Sequence, residues 1–249
     1  MHNITANSFN ELYVSLANKL IKNGSYIDPR QQSTLEICNV MLNLTDPKAT
    51  TFNIPARKYN HDYLKAEFKW YKSGSYHIED IKKHSSMWER IADDDGFINS
   101  NYGAIMFFEM NNGWTQWEWC KHKLEEDINT RQAVINFNQP KHKYDYNKDF
   151  VCTLNMQFLY RNDQLDCIVT MRSNDMIYGL AYDLPWFAYN QVKMAKELGV
   201  KVGNYYHYAA SMHVYERHYD MLKAIAETPS TADITNKYAS CLKISDNER

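Results

Sequence analysis

Residues 150–190 read FVCTLNMQFLYRNDQLDCIVTMRSNDMIYGLAYDLPWFAYN, and this stretch decides the predicted fold. Residues 152–161 and 165–172 have the composition of β-strands. The dipeptide Asn162-Asp163 between them suits a tight hairpin turn. The stretch therefore predicts two paired strands, with Cys152 at the start of the first.

A helix follows the hairpin over residues 184–198, with Asp183 at a cap-like position and Pro185 in the first turn. Gly24 is expected to stop the first helix of the chain, and Pro229 the last. Outside the opening stretch, helices are predicted over 7–23, 60–72 and about 215–227, and strands over 133–138 and near 204–212. Helices and strands mix without strict alternation, which indicates an α+β fold in a single domain, residues 1–249.

Composition argues against several classes of protein. The net charge of the 249 residues is −2, without the basic balance of a duplex-binding protein, so no direct nucleic-acid binding is expected. The five cysteines are odd in number and form no CxxC pair, which argues against a disulfide framework or a zinc site, and no metal is expected. Neither a signal region nor an apolar run of about 18 residues is visible, so we expect no membrane association and a cytoplasmic location.

Cys152 and the dipeptide Arg172-Ser173 could form a reactive centre. A cysteine attacks as its thiolate, and a nearby arginine raises the thiolate fraction. A guanidinium beside a hydroxyl also suits a phosphate group. However, a free cysteine is more often a small buried hydrophobe, and an arginine is more often in a surface ion pair. Spacing alone leaves these interpretations open.

Two carboxylates also need an explanation. Glu67 falls in the apolar stripe of the predicted helix DYLKAEFKWYK, where burial raises the pKa of a carboxyl and suits it to proton transfer. The alternative is that Glu67 reaches water at the edge of the stripe. Asp183 is either a helix cap or a group that pairs with amino donors of a ligand. His213 and Tyr215 could present polar tips to a sugar hydroxyl.

Five segments together resemble the thymidylate synthase family and, within it, the deoxycytidylate hydroxymethylases of bacteriophages. They are EFKWYKSGS (67–75), INSNYG (98–103), DYNKDFVCT (145–153), MRSNDMIYGLAYD (171–183) and SMHVY (211–215). The likeness runs from about residue 25 to 220, and several motifs in one order are more specific than any one of them. It implies a thymidylate synthase-like fold, with a large mixed β-sheet flanked by helices and a homodimer that forms through the sheet.

The resemblance implies a role for each matching residue. The implied catalytic residues are the nucleophile Cys152, Glu67, Asp183 and Tyr102. The implied substrate contacts are Arg172, Ser173, Gln157, His213, Tyr215, Arg30 and Arg131, the last lent across the dimer to the other subunit's phosphate. The implied contacts to the co-substrate, 5,10-methylenetetrahydrofolate, are Trp88, Asp175, Tyr178 and Gly179.

Asp183 is the position that indicates the base. Thymidylate synthases have asparagine there, whose amide complements uracil, whereas the bacteriophage hydroxymethylases have aspartate. A carboxylate accepts from the exocyclic amino group of cytosine, and its acid form can donate to the ring nitrogen. Thr153 is likewise the hydroxymethylase-like residue, where thymidylate synthases usually have histidine. The resemblance thus implies dCMP as substrate and 5-hydroxymethyl-dCMP as product.

Three segments depart from the family pattern. The usual pair of arginines lent across the dimer is Arg131-Gln132 here, and the first phosphate loop reads DPRQQST, with Arg30 displaced by about one position. The chain ends in SDNER without the family's apolar closing tail, a weak argument that water enters the site. Three alternatives follow: hydride in place of water, giving 5-methyl-dCMP; CMP in place of dCMP; or an inactive, nucleotide-binding dimer. A viral source would place the protein in the host cytoplasm.

Overall fold

A computed structural model describes residues 1–229, so the predictions about the C-terminal residues SDNER fall outside the described range. The helices are α1 (Phe9–Asn23), α2 (His61–Ser73), α3 (Met87–Ile91), α4 (Tyr102–Phe107), α5 (Gln116–Glu126), α6 (Ala181–Leu198) and α7 (Tyr219–Ala226). The strands are β1 (His2–Ala6), β2 (Ser25–Ile27), β3 (Thr34–Leu44), β4 (Met110–Asn111), β5 (Trp114–Thr115), β6 (Val134–Asn136), β7 (Thr153–Arg161), β8 (Gln164–Met171), β9 (Asn174–Asp175) and β10 (Lys201–Tyr215).

One mixed sheet organises the described chain. Its strand order is β1-β3-β10-β8-β7-β6, with β2 paired to β3 and β9 paired to β10. β10 runs antiparallel to β3 but parallel to β8, and β8 runs antiparallel to β7. The predicted α+β architecture, a large mixed sheet flanked by helices, is confirmed.

The predicted hairpin is formed by β7 and β8, which pair from the turn to Thr153 and Met171 at the open end. Asn162 and Asp163 adopt φ values of 50° and 60°. Such left-handed values match the twist of the flanking strands, and Asn and Asp tolerate them better than other side chains. The hairpin therefore sets the residue before β7 opposite the residue after β8.

The prediction that Asp183 caps a helix starting at residue 184 was wrong. A π-helical turn, Met176–Leu180, comes first, and its cap is Asp175, whose side chain accepts from the Ile177 N–H at 2.7 Å. α6 continues from that turn, so Asp183 lies inside its first turn. Its carboxyl is therefore not used as a cap and is free for other contacts.

Pro185 is tolerated inside α6 because another group replaces the hydrogen bond that it removes. Proline has no N–H to donate to the carbonyl of Ala181, four residues earlier. The Tyr59 hydroxyl donates to that carbonyl at 3.1 Å. An aromatic residue outside the helix thus satisfies its first turn.

Other boundaries differ by a few residues. α1 and α2 follow side-chain caps at Ser8 and Asn60, close to the predicted starts. β6 is shorter than predicted, and β10 is longer and stays extended through Tyr215. For that reason α7 begins later than predicted, at Tyr219.

The core lies between the sheet and the helices. α1 contacts β3, while α6 contacts β8 and β10. The largest fully buried side chains are aromatic: Trp70, Trp186, Tyr13, Tyr205, Phe9 and Phe52. On β8, fully buried and half-buried side chains alternate along the whole strand, so one face of the sheet packs against the core and the other stays partly open.

Candidate active site

The open end of the β7–β8 hairpin holds the candidate nucleophile. The Arg172 backbone N–H donates to the Cys152 carbonyl at 2.9 Å. The guanidinium bends toward the same loop, where Nε donates to the Val151 carbonyl at 3.1 Å and Nη2 donates to the Phe150 carbonyl. Nη2 also lies 3.5 Å from Cys152 Sγ. The structure thus brings these two predicted residues together.

The environment of Cys152 holds it as a thiol in the ligand-free chain. Burial raises the pKa of this half-buried thiol to about 11, although the charges of Arg172 and Arg30 lower it. Asp183 and Asp149 add to the rise. The two cations therefore favour a thiolate that forms as the sulfur reacts, while little thiolate exists at neutral pH beforehand.

Asp149 fixes the loop that leads to the cysteine. Its carboxylate accepts from the backbone N–H groups of Asn99 and Ser100 at 2.7 and 2.8 Å, and from the Ser100 hydroxyl at 2.8 Å. These contacts join the motif INSNYG to the motif DYNKDFVCT. Two segments that are far apart in sequence therefore form one wall of the site.

Glu67 ends a buried chain of hydrogen bonds. The residue is 5% exposed, and Tyr63, one turn earlier on α2, donates to Glu67 Oε1 at 2.7 Å. Trp88 Nε1 in turn donates to the Tyr63 hydroxyl at 3.2 Å. Burial raises the pKa of Glu67 to about 8, and the hydrogen bond from Tyr63 opposes the rise. The interpretation of Glu67 as a buried carboxyl is confirmed, and the alternative that it reaches water was wrong.

Asp183 is half-buried and ends a second chain of hydrogen bonds, whose other members are buried. Asn174 Nδ2 donates to Asp183 Oδ2 at 2.9 Å, and Asn174 Oδ1 lies 3.0 Å from His207 Nε2. His207 Nδ1 lies 3.0 Å from the Tyr205 hydroxyl. Burial raises the pKa of Asp183 to about 7, the hydrogen bond from Asn174 opposes this, and the charge of Asp175 adds to it. Asp183 can therefore be ionised or protonated near neutral pH.

Tyr102 lies within electrostatic range of both Cys152 and Asp183. It is 4% exposed and stacks on Tyr71, with the ring centroids 5.5 Å apart. Burial raises the pKa of its hydroxyl, and the charges of Asp183 and Cys152 raise it further. The hydroxyl therefore stays protonated and can donate. Thr153, which follows the nucleophile, is fully buried.

A further group of predicted residues lies near the end of β10. The His213 and Tyr215 rings meet at 90°, with centroids 5.3 Å apart. Burial raises the pKa values of Cys152 and Tyr215 and lowers that of His213; the charge of Arg30, in a 3₁₀ turn before β3, opposes the two rises and adds to the lowering. Despite its displacement in sequence, Arg30 is thus within electrostatic range of the site.

A cavity of about 280 Å³ opens beside the Glu67 chain. Its lining includes the aromatic rings Tyr63, Tyr178 and Tyr182 and the basic residues Lys58 and His84. Aromatic walls suit a flat ring system, and basic side chains suit carboxylates. These residues fit a folate, which combines a pterin ring with a glutamate.

The predicted folate contacts relate to this cavity in different ways. Tyr178 lines the cavity, and Trp88 donates a hydrogen bond to Tyr63, which also lines it. Gly179 instead lies against the Asp183 chain: a Cβ atom there would stand 2.7 Å from Asn174 Nδ2 and 3.1 Å from Asp183 Oδ2. Close packing therefore requires a glycine at this position.

Two predicted substrate contacts lie apart from the nucleophile. Gln157 is five residues along β7 from Cys152, which at about 3.3 Å per residue is roughly 17 Å. Gln157 Nε2 donates to the Arg131 carbonyl at 3.1 Å. A single chain therefore does not bring Gln157 or Arg131 to the cysteine. Ser173, half-buried beside Arg172, does remain at the site.

Sequence reasoning missed several residues that shape the site. Tyr63 could have been found, because side chains four residues apart on a helix are neighbours, and Glu67 follows at that spacing. Asn174 and His207 are 33 residues apart, and only the sheet brings them together. Arg57, 4% exposed, donates through Nε and Nη2 to the Ile177 carbonyl at 3.1 and 2.5 Å and so supports the turn before α6.

Within residues 1–229, no helix has the length and apolar character to cross a membrane. The same part of the chain contains no cluster of three or more His, Cys, Asp or Glu side chains that could hold a metal ion.

Comparison with known proteins places the site in a family. The thymidylate synthase family model matches residues 11–240. Deoxycytidylate 5-hydroxymethyltransferase of Enterobacteria phage T4 is 32% identical over 196 residues, which cover 72% of this chain and 79% of that protein. Deoxyuridylate hydroxymethyltransferase of Bacillus phage SP01 is 30% identical over 226 residues, covering 86% of this chain and 59% of that protein. A putative thymidylate synthase of Methanocaldococcus jannaschii is 27% identical over 225 residues, covering 88% and 91%.

Proposed function

The chain belongs to the thymidylate synthase family, and we propose that it transfers a one-carbon unit from methylenetetrahydrofolate to carbon 5 of dCMP. Water completes the proposed reaction and gives 5-hydroxymethyl-dCMP. Overall similarity does not choose the base, because relatives named for a cytosine and for a uracil nucleotide are 32% and 30% identical. The proposal is carried by one observation: the carboxyl of Asp183, which accepts from Asn174 at 2.9 Å, lies within electrostatic range of Cys152, and burial raises its pKa to about 7.

The chemistry of Asp183 supports cytosine. In its acid form, a carboxyl donates to the unprotonated ring nitrogen N3 and accepts from the exocyclic amino group. Uracil presents the opposite pattern, with a ring N–H and an exocyclic oxygen. Ionised Asp183 would face that oxygen with like charge, and protonated Asp183 would clash with the ring N–H when its hydrogen lies on the oxygen that faces N3.

The proposed reaction begins with Cys152. The thiol of Cys152 releases its proton to water, and its sulfur adds to carbon 6 of dCMP. The electrons of the C5=C6 bond shift to C4=C5, and those of the C4=N3 bond take up a proton from Asp183 at N3. Carbon 5 becomes nucleophilic and bonds to the one-carbon unit that the folate supplies. Loss of the carbon 5 proton and release of tetrahydrofolate leave an exocyclic methylene. The oxygen of water adds to this methylene, and Cys152 leaves carbon 6 as the C5=C6 bond re-forms. The sulfur takes the proton that water releases, and N3 returns its proton to Asp183.

Glu67 is proposed to move protons in this sequence. Its pKa of about 8 lets it hold a proton near neutral pH and release it without a large energetic cost. The Tyr63 hydroxyl can rotate to follow either state of the carboxyl, since a hydroxyl both donates and accepts. Arg172, Arg30 and Ser173 are proposed to bind the 5′-phosphate, and His213 with Tyr215 the 3′-hydroxyl.

The proposal is tested by supplying dCMP, CMP and dUMP separately with the folate and weighing the products. A mass gain of one hydroxymethyl group on dCMP is expected, with little turnover of dUMP. A gain of one methyl group would instead support hydride as the final donor. Turnover of dUMP without dCMP would contradict the role given to Asp183.

The alternative of an inactive, nucleotide-binding dimer predicts no chemistry at carbon 5. Release of tritium from carbon 5 of labelled dCMP is expected for the wild-type chain and not for Cys152→Ala. Absence of release from the wild type with a range of folates would favour the binding protein. Together, Cys152, Glu67 and Asp183 support the enzyme, since nucleotide binding alone has no evident need for the thiol.

We also propose a homodimer through the open face of the sheet. Half-buried Ile168, Tyr206 and Tyr208 lie on that face, and Arg131 is exposed near it. Only a second chain could then bring Arg131 to a phosphate. Mixing inactive Cys152→Ala with Arg131→Ala should restore activity, because a hybrid dimer has one site with both residues intact. No restoration after subunit exchange would argue against the shared site.

A further inference from the structure

Asn174, His207 and Tyr205 form a continuous line of hydrogen bonds beneath Asp183. Asn174 lies on β9, and the other two lie two residues apart on the buried face of β10. Their exposures are 2%, 0% and 0%. Water is thus largely excluded, and each polar atom depends on its neighbour in the line.

The chemistry of the four groups fixes the direction of these hydrogen bonds. Ionised Asp183 has no proton to give, so Asn174 must present its amide N–H₂ to Oδ2. The amide oxygen then faces His207 Nε2, which must carry the ring proton. Nδ1 keeps its lone pair and accepts from the Tyr205 hydroxyl. Turning the amide around would set its oxygen against the carboxylate, which is unfavourable in a buried site.

Two observations agree with this direction. Burial lowers the pKa of His207 to about 3, so the ring stays neutral, with one donor and one acceptor nitrogen. Gly179 packs against the Asn174–Asp183 bond so closely that a Cβ atom would stand 2.7 Å from Asn174 Nδ2. The amide is therefore confined sterically as well as by its partners.

We propose that Tyr205, His207 and Asn174 are positioning residues that determine base specificity by fixing how Asp183 meets the substrate. They hold Oδ2 as an acceptor, and so confine the proton of the acid form to Oδ1. Cytosine N3 can accept that proton, whereas the hydrogen on uracil N3 would point at it, with no acceptor between the two donors. This inference rests on the proposed function, because it assumes that Asp183 contacts the base.

Other groups also act on Asp183, and a pH profile must allow for them. Those that interact with it electrostatically are Glu67 and Tyr71 on α2, Tyr102 on α4, Cys152 before β7, Asp175 on β9 and Tyr205 on β10. None of them donates a hydrogen bond to Asp183 within residues 1–229; only Asn174 does. The contribution of the line can therefore be separated by changing His207 and leaving these groups intact.

The first test needs neither substrate nor turnover. In the ligand-free protein labelled with ¹⁵N-histidine, NMR should show His207 as the neutral Nε2–H tautomer from pH 5.5 to 8.5, with His207→Gln used to assign its signals. An Nδ1–H tautomer, or titration of the ring within this range, would overturn the inference whatever the substrate is.

The second test measures kcat/KM for dCMP and dUMP against pH. His207→Phe removes the donor, so Asn174 no longer holds the ionised carboxyl. The dCMP preference should fall by about 5- to 10-fold, the effect of losing one net hydrogen bond. The pKa of Asp183 should rise, so the loss of dCMP activity at high pH should move upward by roughly half a pH unit or more. Loss of stability alone does not predict this shift.

Three variants serve as comparisons. His207→Gln places an amide N–H near the position of Nε2 and should restore most of the preference. Tyr205→Phe removes only a hydroxyl and should give a smaller change in the same direction. Tyr76→Phe loses a hydroxyl that donates to Glu109, outside the groups that interact with Asp183, and should change neither the ratio nor the profile.

The outcomes distinguish the two proposals. Wild-type protein that does not use dCMP would overturn the proposed function. Wild-type protein that prefers dCMP, with His207→Phe leaving both the ratio and the pH profile unchanged, would overturn only the role of this line.

Discussion

The buried carboxyl of Glu67 and the half-buried carboxyl of Asp183 each end a chain of hydrogen bonds, and the two chains of hydrogen bonds differ in kind. Glu67 is reached through a hydroxyl, from Trp88 by way of Tyr63. Asp183 is reached through an amide that a neutral imidazole holds on its other side. A hydroxyl can turn and either donate or accept, whereas an amide held at both ends cannot.

The comparison explains how one pocket can use two carboxyls of raised pKa for different tasks. A carboxyl with an adaptable partner suits proton transfer, because its surroundings follow its charge. A carboxyl with a fixed partner suits recognition, because only one pattern of donors and acceptors faces the ligand. Glu67 is accordingly proposed to transfer protons, and Asp183 is proposed to recognise the base.

The largest expected effect is a change of base, caused by Asp183→Asn. The introduced amide has no proton to transfer to cytosine N3. With its oxygen toward the ring N–H of uracil, its N–H₂ can donate to the exocyclic oxygen. We expect kcat/KM for dCMP to fall by about 10⁴-fold, the scale on which a hydrogen-bonding site rejects the wrong pattern, and activity on dUMP to rise. Steady-state kinetics with both nucleotides measure this. Equal losses of kcat/KM on both nucleotides would contradict the proposal that Asp183 selects the base.

Glu67→Gln should lower kcat by about 10³-fold, within the range for removal of a positioned acid or base. The loss of kcat should be similar for dCMP when Asp183 is present and for dUMP when Asp183→Asn is also present, because Glu67 is proposed not to contact the base in a way that selects it. Comparison of the single and double variants measures this. A change in base preference caused by Glu67→Gln would show that the two carboxyls are not separate in function.

The same substitution should stabilise the protein at high pH. The folded pKa of Glu67, about 8, lies above its unfolded value. From about pH 5 to 8 the unfolded chain has released this proton and the folded chain keeps it, so stability falls as pH rises. Glu67→Gln removes that loss and should raise Tm at pH 8 by about 5–10 °C, with little change near pH 5.

Glu109→Gln is the matched control for this measurement. Burial alone raises the pKa of Glu109, but hydrogen bonds from Lys141 and Tyr76 outweigh it and lower the pKa overall. Its charged form therefore stabilises the fold, and the substitution should lower Tm at pH 8. Calorimetry at pH 5 and 8 on both variants checks the two signs, and a destabilised Glu67→Gln at pH 8 would contradict the assigned burial cost.

The two chains of hydrogen bonds, at Glu67 and at Asp183, also differ in how far they could be predicted from the sequence. Glu67 falls in an apolar stripe, and Tyr63 stands one helical turn before it, so both are local in sequence. The line to Asp183 joins residues that are 9 and 33 positions apart, and no local pattern pairs them. The wrong cap assignment has a related cause, because Asp175 caps a π-helical turn that no short-range rule indicated.

The fold was predicted better than the site for the same reason. Strand composition and the Asn162-Asp163 turn are local signals, and the β7–β8 hairpin follows from them. The order of the strands depends on contacts between distant segments and was not predicted; family resemblance implied only a large mixed sheet flanked by helices. Likewise, no local signal indicated that β10 continues through Tyr215.

Gly179→Ala should affect the Asp183 chain and spare the Glu67 chain. The added Cβ would stand 2.7 Å from Asn174 Nδ2 and 3.1 Å from Asp183 Oδ2, so this bond must lengthen. We expect the preference for dCMP over dUMP to fall by about 10-fold, as for one lost hydrogen bond. Competition between the two nucleotides in one reaction measures the ratio directly. An unchanged ratio with normal stability would mean that the Asn174 contact does not influence base choice.

The smallest expected effect tests the chain of hydrogen bonds that ends at Glu67, at its most distant member, Trp88. Trp88→Phe removes the indole N–H that donates to Tyr63 and leaves the Tyr63–Glu67 bond in place. Because the hydroxyl can adapt, kcat should fall only about 2- to 5-fold, without a change in base preference. Trp70→Phe is the control: Trp70 packs against Trp88 at 5.0 Å, but its N–H donates to the His77 carbonyl at 3.2 Å, away from Glu67. Equal losses of kcat in both variants would show that packing matters here and the hydrogen bond does not. A loss of kcat confined to Trp88→Phe, and smaller than the loss of base preference caused by Gly179→Ala, would support an adaptable chain of hydrogen bonds at Glu67 and a rigid one at Asp183.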